Sequence, residues 1–378
     1  MLINDLITST YNKRQVDLIL LDFSKAFDKV SHEKLLFKMH NYGVRGQTLK
    51  WIKSFLDNRS QSVILNGTGS DAIPVPSGVP QGSVLGPLLF LAYINDLPEN
   101  VKSKVRLFAD DTAIYLSLTS VNQSITLQND LKSLEIWENK WDMEFNPSKC
   151  QVIHVTKRKQ VIPSRYFLHG TLLESVSSAK YLGVDISHNL SWDDHVNRIT
   201  KKANQTLGFL RRNIKVKSES LKANAYKTLV RPQLEYASEV WAPHTKSLVD
   251  QIEAVQRRSA RWIKSDYGQT SSVTSMLNSL NLRQLDLRRI DSRLSLMYKI
   301  TNNLVAIPID EYLIPLSRPS RHSHPLSYRL ITATTDYYKY SFFPRTVYHW
   351  NNLPPDIPSL PTIEQFSAAI SSIEHVSP

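Results

Sequence analysis

Apolar residues run unbroken from Leu18 to Leu21 and stop at Asp22, the pattern of a buried strand that ends on a carboxylate. Ser31 is placed to cap a helix whose apolar side is Leu35, Leu36 and Met39, and Gly43 suits the left-handed position after its last turn. Leu49, Ile52 and Leu56 repeat at helical spacing, and Asn66-Gly67 between two short apolar runs, Ser62 to Leu65 and Ile73 to Val75, predicts a hairpin. The Gly and Pro content of Ser77 to Ser83 predicts a loop, which opens an apolar helix running to about Asn95. Val105 to Phe108 and Ala113 to Leu116 then flank Asp110-Asp111, so those two acids are expected at or beside a hairpin tip. A helix from about Gln123 to Trp141 leads to strands near Gln151 to Thr156 and Lys180 to Asp185.

From Asp193 onward the period becomes helical. Val196, Ile199, Ala203, Leu207 and Leu210 share one face, leaving Lys201, Lys202, Arg211 and Arg212 for solvent. A later helix buries Leu248, Ile252, Val255 and Trp262, while Arg257, Arg261 and Lys264 fall together on another face. Ten of the nineteen prolines follow Thr301, which predicts an extended, turn-rich tail and not a further compact core.

Charge sharpens this division. Of the net +12, the segment 191–300 carries +10, with 20 basic and 10 acidic residues. A basic helical segment after a nearly neutral one fits a clamp for a polyanion, although a well-solvated helical surface has the same composition. The chain of 378 residues, 41% hydrophobic, is long enough for two or three folded units. Its single cysteine, Cys150, excludes an internal disulfide and an all-thiolate zinc site, which suits an intracellular location in nucleus or cytoplasm. No apolar run reaches the roughly 20 residues needed to span a bilayer, so neither membrane anchoring nor secretion is expected.

Joining nucleotides calls for two Mg²⁺ ions about 3.5 to 4 Å apart, one at the primer 3′ hydroxyl and one at the triphosphate. Magnesium takes oxygen ligands, so a few aspartates at the ends of adjacent strands make a minimal site. Asp22 with Asp110-Asp111 qualifies if their strands are neighbours; an isolated Asp-Asp pair is more often a solvated turn.

Three ordered segments carry a resemblance. Leu21 to Val30 (LDFSKAFDKV), Ser77 to Pro87 (SGVPQGSVLGP) and Phe108-Ala109-Asp110-Asp111 resemble the first palm motif, the nucleotide-pocket motif and the catalytic hairpin of non-LTR retrotransposon reverse transcriptases, jockey-like elements in particular. Met143 to Cys150 is similar to the following palm motif and Lys180 to Val184 to the primer grip, extending the resemblance over most of residues 16–187. Gln256 to Ile263, Phe342 to Arg345 and Trp350 to Pro354 are similar to the same elements.

The resemblance implies a fold and a set of roles. The fold is α+β: a right-hand polymerase palm of antiparallel sheet and packed helices over 1–187, a basic helical thumb over 188–300, and an irregular Pro-rich tail over 301–378. Asp22, Asp110 and Asp111 become metal ligands, with the Phe23 carbonyl a further one. Phe27 becomes a steric gate against the ribonucleotide 2′ hydroxyl, or else ordinary core. Gln81 and Gly82 lie against the incoming dNTP, and Lys149 donates a proton to pyrophosphate unless it is merely a surface lysine. Leu182 and Gly183 belong to the primer grip. The exposed basic residues of both long helices, including Arg257, Arg261 and Lys264, meet the phosphates of an RNA template and DNA primer.

Asp28, in the same motif as Asp22, is expected to fix a turn. Trp137 and Trp141 read as core, and Lys157-Arg158-Lys159 as a charged turn. Only 21 residues precede Asp22, where the family has its fingers region, so the expectation is an intact metal site with low or absent polymerase activity unless a parent protein or partner supplies the fingers. The alternative is a degenerate or co-opted nucleic-acid-binding relic; a small nuclease or phosphatase would leave Phe27 and Pro80-Gln81-Gly82 unexplained.

Overall fold

The computed structural model describes residues 1–317 and 324–373. They form two compact bodies, one of residues 12–182 and the other of 1–11 together with 183–378. Among the described residues no helix is long and apolar enough to cross a membrane.

The first body is built on a five-stranded sheet. Its strands are β1 (Gln15–Leu21), β2 (Lys104–Phe108), β3 (Asp111–Leu118), β4 (Gln151–Val155) and the short β5 (Glu174–Ser175), in the order β5-β4-β1-β3-β2. All neighbours are antiparallel except β5 and β4. Every residue of β1 is buried, as the central position demands. Three helices expected from the apolar spacing pack here: α2 (His32–Asn41), α4 (Leu85–Ile94) and α5 (Ser124–Trp141). Ser31 caps α2 by accepting from the Lys34 amide, and Gly43 adopts φ +91° just past its end. The helix α3 (Gly46–Leu56) leads to a hairpin that turns at Asn66 and Gly67, both at positive φ, as expected, but its arms differ: Ile64–Leu65 pairs with Thr68–Gly69, and Ile73–Pro74 pairs with Ser60–Gln61.

One polar residue interrupts the apolar run of β1. Asp17, fully buried, accepts from Gln15 Nε2 (2.7 Å), Tyr166 Oη (2.6 Å) and the Ser164 hydroxyl, and lies 2.9 Å from His154 Nδ1. Burial alone would raise its pKa, but the contacts from His154, Ser164 and Tyr166 outweigh it and hold the carboxyl below its usual range. Trp137 and Trp141 are core, as expected. Lys38 lies over the Trp141 ring at 3.7 Å, with its ammonium on Asp96 Oδ1 (2.5 Å), which also accepts from Trp137 Nε1 (3.0 Å).

The second body is helical. The long helices α6 (Asp193–Asn213) and α7 (Lys246–Lys264) bury the expected stripes against each other. A further helix, α8 (Leu285–Thr301), receives α9 (Phe342–Asn351) and α10 (Ile363–Ser371).

Two expectations are corrected here. The division near residue 187 falls instead after Leu182, and α1 (Leu2–Tyr11) belongs with the second body, where Tyr11 stacks on Tyr338 with ring centroids 4.1 Å apart. The region beyond 301 is no irregular tail. Phe343, Val347 and Trp350 recur at helical spacing on α9, Phe366 and Ile370 on α10, and all pack with Leu294, Met297 and Tyr298 of α8. Proline misled because most of it is harmless there: Pro344 occupies the first turn of α9, where its missing N–H costs little, and Pro354, Pro355, Pro358 and Pro361 fill the connection to α10. Residues 318–323 and 374–378 of that segment lie outside the described residues.

Candidate active site

The three aspartates occupy neighbouring strand ends. Leu21, the last residue of β1, pairs with Thr112 of β3, so Asp22 follows directly beside Asp111. Phe108 pairs with Asp111, leaving Ala109-Asp110 as a two-residue tip with Ala109 at φ +51°. Burial, then the charge of Asp110, then that of Asp22 raise the Asp111 pKa, so the three carboxylates interact electrostatically. Their side chains nevertheless do not converge into a chelate: among the described residues no three His, Cys, Asp or Glu side chains are grouped closely enough to hold an ion. Asp22 is paired with a side-chain cation, Lys149 Nζ at 3.4 Å from Oδ1. The donor set itself is all oxygen, which suits a hard divalent ion.

The backbone around Asp22 is anchored from the other side. Asn146 N donates to the Asp22 carbonyl (2.8 Å) and Ser24 N to the Glu144 carbonyl (2.8 Å), while the Phe23 and Phe145 rings stack at 4.1 Å. The Phe23 carbonyl takes no part in that pairing. Lys29 forms an ion pair with Glu144 across the same junction. This is why the segment Met143 to Lys149 delivers Lys149 to the carboxylates.

The loop expected to meet nucleotide folds back on the first motif. Gly78 N donates to Val30 O and Val79 N to Phe27 O, both at 2.8 Å, and the Ser77 hydroxyl donates to Asp28 O (2.9 Å). A side chain at Gly78, at φ +92°, would meet the Asp28 backbone at 2.9 Å, so glycine is required there. Gln81 Nε2 donates to Asp28 Oδ1 (3.1 Å), which gives Asp28 the turn-fixing part expected of it. Gly82 is exposed at φ +80° with open space around it. Phe27 is half-buried, one face stacked on Phe90 at 4.3 Å. Core residue and gate are therefore both compatible with its position.

Tyr181 was not singled out by sequence. Burial, then the charge of Asp111, push its phenol up to about 12, so this residue of the Lys180 to Val184 segment neighbours the carboxylates. Its two followers, Leu182 at φ +47° and Gly183 at φ +82°, turn the chain out of the first body.

In the second body, Lys201, Lys202, Arg211, Arg212 and Arg257 are exposed as expected. Two others are already engaged: Lys264 pairs with Glu219 (2.7 Å) and Arg261 Nη1 donates to Gly268 O (3.0 Å). Glu219 opens the short helix Glu219–Ala225 and Gly268 lies in a loop, and sequence spacing brings neither into view.

Residues 5–186 match the model of the reverse transcriptase (RNA-dependent DNA polymerase) family. This stretch belongs to the reverse transcriptase family. The chain is 30% identical over 275 residues to the RNA-directed DNA polymerase from the mobile element jockey of Drosophila melanogaster, covering 69% of this chain and 30% of that protein. A second relative, the probable RNA-directed DNA polymerase from transposon BS of the same fly, is 29% identical over 294 residues, 73% of this chain and 32% of that protein. The lineage is that of non-LTR retrotransposons, and the chain spans about a third of the length of these curated relatives. Among solved structures, apo telomerase from Candida Tropicalis aligns with a TM-score of 0.41 at 12% identity, over 82% of this chain and 55% of that one.

Proposed function

We propose that this reverse transcriptase domain copies RNA into DNA, adding deoxynucleotides to a primer 3′ hydroxyl at Asp22, Asp110 and Asp111. The pairing of Leu21 with Thr112 supports the reading, because it makes two separate strand ends adjacent and sets Asp22 beside Asp111 in the backbone register. Those three side chains and the Phe23 carbonyl would hold two Mg²⁺ ions. The chemistry that bound magnesium supplies is activation of the primer hydroxyl and neutralisation of the triphosphate.

The chain's own residues do the rest. Lys149, on Asp22 in this state, holds a proton beside the carboxylates and gives it to departing pyrophosphate. Phe27, held by Phe90, presents its free face to the sugar and excludes the 2′ hydroxyl. Gln81 and Gly82 line the nucleotide, with Gly82 offering bare backbone. Leu182 and Gly183 steady the primer end. The exposed bases of α6 and α7 bind the RNA template and DNA primer through phosphates, without choosing sequence.

Incorporation of dTTP on oligo(dT)-primed poly(A) tests this directly. The expected result is low but Mg²⁺-dependent extension that Asp110→Asn abolishes and that Phe27→Ala opens to ribonucleotides. Equal extension by wild type and Asp110→Asn, or hybrid binding with no extension under any divalent ion, would overturn the reading.

A further inference from the structure

The second body buries three guanidinium groups that the polymerase reading does not use. Arg289 and Arg293 lie one turn apart on α8, and Arg345 lies on α9 within the Phe342-Phe343-Pro344-Arg345 motif. Their relative exposures are 0%, 2% and 8%. Side chains of this kind are almost never so enclosed unless paired.

Here the pairing is largely missing. Among the described residues, Arg293 has no hydrogen-bond partner for Nε, Nη1 or Nη2; Arg289 has none for Nε and Nη1, and Arg345 none for Nε. The contacts present are weak or neutral: Arg289 Nη2 reaches Asp286 Oδ1 at 3.4 Å, Arg345 Nη1 reaches the carbonyls of Ala242 and Pro243 at 3.3 and 3.5 Å, and the Arg345 guanidinium lies 5.7 Å from the centre of the Tyr340 ring. Two hydroxyls nearby in the fold, Ser238 Oγ on the short helix packed against α8 and Thr346 Oγ1 beside Arg345, are also buried without partners.

The surrounding acids do not close the account. Asp286 acts on all three guanidiniums, Glu239 on Arg293 and Glu253 on Arg289. Glu253 already accepts from the Asp286 amide, and burial raises its pKa, which favours its uncharged form. Arg345 and Arg289 both oppose the charge of Arg293, and burial drives the Arg293 pKa well below the arginine value. A lysine or histidine in that position would shed its proton; a guanidinium does not, so its charge must be met by an anion. Water would satisfy N–H groups and leave the charge uncompensated.

We propose that Arg289, Arg293 and Arg345 form an internal site for a small phosphate-class oxyanion that ties α8 to α9. Forked, planar donors such as these suit a multiply charged tetrahedral oxyanion, which accepts several hydrogen bonds at once. The enclosure restricts the ligand to a free ion and excludes the phosphates of a polymer. The second body then folds fully only with the ion in place, which gives the arginine of the α9 motif a reason to be buried.

Thermal unfolding of the full chain in phosphate-free buffer, titrated with inorganic phosphate, pyrophosphate or sodium chloride at matched ionic strength, tests the site. Phosphate or pyrophosphate should raise Tm by roughly 5–10 °C at a hundred-fold excess over Kd, and chloride should not. Arg293→Met, which keeps volume and removes the charge, should unfold at the same temperature with and without phosphate. If that variant does not fold, calorimetric titration of the wild-type chain decides: saturable heat at one ion per chain supports the site, and its absence refutes it. Equal Tm shifts in phosphate and chloride overturn the proposal. So does stabilisation by a dT oligonucleotide with none from phosphate, since that response belongs to the exposed basic faces.

Discussion

Leu21 and Thr112 face each other across an antiparallel ladder, and this single pairing makes Asp22 and Asp111 neighbours although 88 residues lie between those two aspartates in the sequence. Everything proposed for catalysis depends on that register. A slip by one residue would turn one of the two aspartates to the opposite face of the sheet.

The like charges at this place set the first prediction. Asp111 has a pKa above its unfolded value, so the sign is that of a group whose ionisation opposes folding: stability is fullest below about pH 3.8 and is lost as pH rises through the raised pKa. Asp111→Asn is therefore expected to raise Tm by about 1–2 °C at neutral pH without divalent ions. Adding Mg²⁺ should raise the wild-type Tm and narrow that gap. Scanning calorimetry with and without Mg²⁺ reads both; a lower Tm for the variant in chelator would contradict the repulsion.

Asp17 has the opposite sign. Its pKa lies below 3.8, so its contribution is complete above that value and is lost as pH falls through the lowered one. Asp17→Ala takes the carboxylate acceptor away from Ser164 and Tyr166 and leaves Gln15 Nε2 only the Ile162 carbonyl, a loss of about 3–5 kcal/mol in a dry interior. Urea unfolding at pH 7 would show a large fall in midpoint, and a midpoint within error of wild type would mean the network is incidental.

Lys38 makes stability climb in alkali. Burial is the main cause that brings its pKa down from 10.5 to about 8, partly opposed by Asp96. The folded form then releases its proton before the unfolded chain does, so between about pH 8 and 10.5 stability rises with pH. Denaturant midpoints at pH 7.5, 8.5 and 9.5 should increase in wild type and stay level in Lys38→Met, relative to the background set by other groups. Parallel curves for the two proteins would assign the trend elsewhere.

Nucleic-acid binding should separate the free cations from the engaged ones. Replacing Lys201, Lys202, Arg211 and Arg212 by Gln is expected to flatten the salt dependence of hybrid binding, by about 0.7–0.9 in log–log slope for each lost phosphate contact. Lys264→Gln should leave the slope unchanged, because Glu219 already holds that ammonium. Fluorescence anisotropy across a range of KCl concentrations measures both. A slope that moves only in the Lys264 variant would reverse the assignment.

What was legible in the chain follows from the range of each interaction. Asp22 and Asp110-Asp111 could be placed at strand ends because the apolar runs Leu18 to Leu21 and Ala113 to Leu116 are local signals. Ser31, Gly43 and Asn66-Gly67 were likewise readable, since caps and turns are decided within a few residues. Asp17 gave no local signal of its part; its acceptor work needs Ser164 and Tyr166, nearly 150 positions away, and no local pattern announces them. The helices beyond 301 were hidden by proline count, although Phe343, Val347 and Trp350 already carry helical spacing. Arg345 was noted for its motif, but its enclosure with Arg293 belongs to tertiary packing alone.

Helix α1 has a bearing on how the protein reaches this state. Tyr11 Oη accepts from the Thr334 amide, a contact across 323 positions, so α1 must wait unpartnered until that distant stretch has been synthesised. The intervening body of residues 12–182 can collapse meanwhile as an independent insert. A ribosome-stalled chain ending near residue 190 should thus protect the sheet from protease while leaving Leu2 to Tyr11 open to cleavage, with closure of the second body as the slow, late event.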